Sequence, residues 1–95
     1  MRHMEICRKK TILGEEEEKT LIYYVIIDDL YDATTGIELE TYGVGVTVGE
    51  SGETSAISNV TFNGTGILTL INLLADHLAT PVTVGDIVED WLSDG

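Results

Sequence analysis

The chain has 95 residues, 43% of them hydrophobic, with 10 glycines, one proline and one cysteine. That is enough for one small domain with a thin core, and it excludes collagen-like, disordered and disulfide-framework architectures. The formal net charge is −12: the first nineteen residues hold five cations and five acids, and residues 20–95 hold twelve acids and no Lys or Arg at all.

A body without cations cannot neutralise phosphates, so nucleic acid, nucleotides and anionic membranes are unsuitable partners. An acidic surface can instead attract a basic protein, bind hard cations weakly, or simply keep the domain soluble. The lone Cys7 rules out an intrachain disulfide and fits a reducing, cytoplasmic setting. No apolar run near the start has signal-peptide length, and the longest one elsewhere, Gly66 to Leu74, is about half of the ~18–20 residues that a membrane helix needs.

In chain order, strands come first and helices second. Residues 4–13 alternate as a moderate strand, with Met4, Ile6 and Ile12 on one parity. Gly14 and the acids Glu15 to Glu18 then read as a solvated hairpin loop. Residues 20–28 form the strongest strand, dense in β-branched and aromatic residues and apolar on both faces, hence central to a sheet. Asp28 to Gly36 has turn chemistry and ends in a glycine suited to positive φ.

Residues 37–48 predict a long strand whose apolar parity changes: Ile37 and Leu39 are odd, while Tyr42, Val44, Val46 and Val48 are even. A β-bulge between Glu40 and Gly43 would account for that switch. Gly43 and Gly45 leave one face of this strand bare, open to an aromatic ring, a helix or a ligand backbone. After a Gly49–Gly52 turn, residues 54–60 read as a weak edge strand, a possible homodimer contact in an otherwise monomeric protein.

Asn63 and Thr65 compete to cap a helix over about 66–78, with Ile67, Leu70, Ile71, Leu74 and Leu78 as its buried stripe. Thr80-Pro81-Val82 breaks it. A second helix over about 84–92 follows, with Thr83 and Asp86 as a capping box, Val82 stapled on Ile87, and Val84, Ile87, Val88, Trp91 and Leu92 facing inward. The expected fold is α+β: a four-stranded antiparallel meander followed by two helices packed on one sheet face.

Chemistry-bearing motifs are sparse. Asp28, Asp29 and Asp32, with Glu38 and Glu40, could offer oxygens to a divalent cation, but they lack EF-hand spacing. His3, Cys7 and His77 show no zinc spacing. Ser51 has no nucleophile elbow, and His77 suits a helix C-terminus better than catalysis. The glycine-rich stretches at Gly43–Gly45 and Gly64–Gly66 are not followed by lysine, which weakens a phosphate reading.

Tyr23-Tyr24, Thr41-Tyr42-Gly43-Val44 and the C-terminal run from Thr80-Pro81-Val82 through Asp86, Glu89, Asp90, Trp91 and Leu92 together resemble a family of short acidic proteins of unknown function from Clostridia-like Gram-positive bacteria. The chain departs from that pattern at Gly85 and in its cation-free body. The resemblance implies no activity, cofactor or catalytic residue. The expected function is therefore a non-enzymatic acidic interaction module for a basic protein partner, needing no cofactor, with Asp28, Asp29, Asp32, Glu38, Glu40, Asp86, Glu89 and Asp90 as the candidate surface. Two alternatives are a nucleic-acid mimic that fills a basic groove and a weak divalent-cation binder.

Overall fold

In the computed structural model, which describes residues 1–13 and 17–94, four strands precede two helices: β1 (Arg2–Leu13), β2 (Glu17–Asp32), β3 (Ile37–Val48), β4 (Thr54–Thr61), α1 (Gly64–Asp76) and α2 (Val84–Asp94). The sheet order is β1-β2-β3-β4, with every neighbouring pair antiparallel. The expected α+β meander with two C-terminal helices is the fold found.

Alternation sets the two sheet faces. Leu21, Tyr23 and Val25 of β2 lie opposite Val48, Val46 and Val44 of β3, and all six are buried under α1. α1 presents Ile67, Leu70, Ile71, Leu74 and Ala75 to that face, because positions three and four apart share one side of a helix. Each of its four Ile and Leu side chains contributes ~1.5–3 kcal/mol by leaving water. α2 packs beside α1 and adds Val84 and Val88 to the same core, with Ile87 and Trp91 partly buried at its margin. Val82 is exposed and staples nothing.

The helix ends differ from the sequence reading for local reasons. Asn63 wins the cap of α1 because its Oδ1 accepts the Gly66 N–H at 3.0 Å. α1 stops at Asp76, and Leu78 lies beyond it at φ 50, half exposed rather than in the stripe; Ala79 is the buried residue. The Leu78 N–H donates to the Ala75 carbonyl at 3.1 Å and the Ala79 N–H to the Leu74 carbonyl at 2.9 Å, the bond pair of a Schellman stop. Thr83 does not form the expected box with Asp86: its Oγ1 accepts the Thr80 N–H at 2.9 Å and tightens the turn instead.

Three readings of the strands also need correction. Glu17 and Glu18 belong to β2, not to a loop, and residues 14–16 of that expected loop lie outside the described residues. β2 runs on to Asp32, so the turn is only residues 33–36, closed by the Gly36 N–H on the Asp32 carbonyl at 2.7 Å with Gly36 at φ 72. The expected bulge in β3 is absent: β2 and β3 pair without a slip from Leu21↔Val48 to Asp32↔Ile37. The parity changes because the core ends. Ile37 and Leu39 point to the reverse face, where Leu39 meets Leu30 and both are exposed. The irregularities fall elsewhere, in β1 near Ile6 and in β4 between Ile57 and Thr61, where Asn59 takes φ 56.

Candidate functional site

The extra length of β2 turns the acidic segment into an arm. Residues 29–40 are all exposed, and the two strands continue there as a paired ribbon beyond the core. Asp28, Leu30, Asp32, Ile37 and Leu39 share the reverse face, while Asp29, Tyr31, Glu38 and Glu40 share the face that carries α1. Four candidate residues are thus brought together on the ribbon, with half-buried Asp28 at its base. Asp32 has a local task as well, since its Oδ1 accepts the Thr34 N–H at 2.9 Å, and bonds from Thr34 and Thr35 hold its carboxyl below the usual range.

Asp29 and Glu40 sit directly opposite each other, an unfavourable like-charge pair unless something lies between them. Arg2 does. Its guanidinium reaches Glu40 and lies 3.5 Å from Asp29. The Tyr42 hydroxyl donates to the other Glu40 oxygen at 3.1 Å. Together these bonds, Arg2 foremost, hold the Glu40 carboxyl below its ordinary value and push the Arg2 guanidinium up. All these groups face water, so the pairing organises the surface more than it stabilises the fold.

At the base of the arm, on the same face, lies a cleft of about 430 Å³. Met4, Val25, Ile27 and Tyr42 line it from the sheet, and Asn63, Gly64, Thr65, Ile67 and Leu68 from the start of α1. Ile27 and Tyr42 stand one same-face step from Asp29 and Glu40, so apolar cleft and acidic rim are continuous. The sequence reading missed this cleft. Its only sequence trace is Gly64, which leaves space opposite the Tyr42 ring.

The acids of α2 are elsewhere. Asp86 and Glu89 are exposed on that helix, and Asp90 borders a second hollow of about 280 Å³ with Leu73, His77, Ile87 and Trp91. His77 caps α1, its N–H donating to the Leu73 carbonyl at 3.1 Å. Cys7 faces Tyr23 on the core side, where burial pushes its thiol up, while Arg8 pairs with Glu5 on the reverse face. Among the described residues, no three His, Cys, Asp or Glu side chains converge to hold a metal ion.

The bare faces of Gly43 and Gly45 are filled from within the chain. A Cβ on Gly45 would sit inside the Tyr24 ring, whose hydroxyl meets Thr54 Oγ1 at 3.1 Å. A Cβ on Gly43 would strike the β4 backbone at Ile57 and Ser58. The aromatic approach anticipated at this strand is the one found, and the backbone of the neighbouring strand β4 lies against the other glycine.

The sequence model of a family described as Family of unknown function (DUF6514) matches residues 2–94, spanning all six elements. The chain belongs to that family. The DUF6514 match brings no activity with it, and neither a curated protein nor a solved structure matches the chain. Among the described residues, no helix of this chain is long and apolar enough to cross a membrane.

Proposed function

We propose that this domain is a non-enzymatic interaction module that binds a basic protein segment through the β2–β3 arm. The observation that carries the reading is the exposure of Leu30, Tyr31, Ile37 and Leu39 on a ribbon that also bears four acids, with a fifth, Asp28, at its base. Exposed apolar side chains clustered among one sign of charge mark a surface suited to recognition, and the field of a −12 chain steers a cationic partner toward it. The lone, half-buried Cys7 supports a bacterial cytoplasm as the setting. Mimicry of nucleic acid draws no support from the arm, because its acids divide between two faces rather than forming one phosphate-like row.

Fluorescence anisotropy with a labelled arginine-rich peptide tests the reading. Neutralising Asp28 and Glu38 together (Asp28→Asn, Glu38→Gln) is expected to weaken binding several-fold. The matched pair Glu89→Gln and Asp90→Asn on α2 changes net charge equally and should leave affinity near the parent value. Binding should also fall at least ten-fold between about 30 mM and about 300 mM salt as screening shortens the reach of the field. Equal loss from both pairs, or no binding at low salt, would remove the arm as the site.

A further inference from the structure

The cleft at the start of α1 lies against the acidic rim yet has no task in the fold described so far. Its walls include Met4 and Leu68, 50% and 44% exposed, and apolar surface of this kind gains most from a partner side chain that leaves water with it. The first residues of β1 display the chemistry that fits the rim and the cleft together. Arg2 sets its guanidinium on Glu40 and near Asp29, and Met4, the next residue on that face of the strand, lines the cleft. A cation and an apolar group two residues apart on an extended strand therefore match the spacing from rim to cleft.

We infer that the cleft receives an apolar anchor side chain from a basic, extended peptide segment, whose flanking Lys or Arg residues bind Asp29 and Glu40 at the rim. Charge complementarity selects this occupant. The rim carries two carboxylates served by a single guanidinium, and a second copy of a chain at −12 would bring further acids to it. The inference rests on the proposed reading of the arm as a site for basic segments, and it adds where the specificity-giving side chain goes.

The test uses the full chain and two labelled peptides, one with arginines flanking a central Phe-Leu pair and one with Ser-Ser in its place. The Phe-Leu peptide is expected to bind at least about ten-fold more tightly, the scale set by burying one large apolar side chain. Gly64→Leu should erase that difference, since a side chain at position 64 is directed at the Tyr42 ring, whose nearest atoms are 3.7 Å from a Cβ there, and would fill the cleft. Leu68→Ser, at a half-exposed wall position that leaves the core intact, should reduce the difference by several-fold and serves if Gly64→Leu folds poorly.

If both peptides bind alike to the parent and to these variants while Asp28→Asn with Glu38→Gln still weakens them, the cleft proposal falls and the arm reading stands. If neither peptide binds at low salt, both fall. A dimer in sedimentation equilibrium that Gly64→Leu dissociates would give the cleft to a second copy and overturn the proposal.

Discussion

Tyr23 and Leu78 are the residues in which local chemistry conflicts most with position. Tyr23 is fully buried beneath the helices, and its hydroxyl donates to the Ala79 carbonyl at 2.7 Å, tying the central strand to the turn after α1. Burial, with a smaller contribution from Cys7, pushes its phenol from 10.0 up to about 12. The folded state thus holds this proton where the unfolded chain releases it. The stabilisation is complete below pH 10 and is lost as pH rises toward 12, a change of about 2–3 kcal/mol for a shift of that size. Tyr23→Phe should cost ~1–2 kcal/mol at neutral pH by leaving the Ala79 carbonyl without its partner, and its denaturant midpoint should fall less steeply than the parent's above pH 10. Leu78 presents the opposite case, a side chain placed where glycine is favoured. It occupies the left-handed position of the Schellman stop, and Leu78→Gly should raise stability by about 1 kcal/mol in urea unfolding, because the strain outweighs what a half-exposed leucine contributes there.

Elements show where sequence patterns carry information and where they lose it. All four strands and both helices were legible, since Val44, Val46 and Val48 repeat at two and Ile67, Leu70, Ile71 and Leu74 at helical spacing. The end of β2 was not. Asp28 and Asp29 have turn chemistry, but a strand continues through polar residues when its partner continues too, and Glu40 and Thr41 do. The parity change in β3 was real, but a bulge and a core that simply ends leave the same trace in one strand, and only the register against β2 separates them. The cleft was illegible because it depends on how far α1 sits from the arm, a distance that no single element encodes. The two glycines of β3 yield a graded expectation. At Gly45 an added methyl meets the end of the Tyr24 side chain, which can swing aside, whereas at Gly43 it meets the backbone of β4, which cannot without breaking the edge pairing. Gly43→Ala should therefore lower the thermal midpoint more than Gly45→Ala, by several degrees in a domain of this size.

At the scale of the whole molecule, the domain measures 54 × 27 × 18 Å, with a radius of gyration of 14.5 Å against the ~12–13 Å expected of a compact chain this long. The excess length comes from strands that outrun their helices. The core under α1 and α2 is confined to the middle of the sheet, and the ribbon from Asp29 to Glu40 extends past it with no side chain buried. Amide protons in such a ribbon exchange with solvent through brief local openings, while those of Leu21 to Val25 await global unfolding. The molecule therefore has two tiers of backbone protection. A partner seated along the ribbon would slow the fast tier and leave the slow tier nearly unchanged, so the footprint of recognition would be written in deuterium uptake at about a dozen amides, before any partner is known by name.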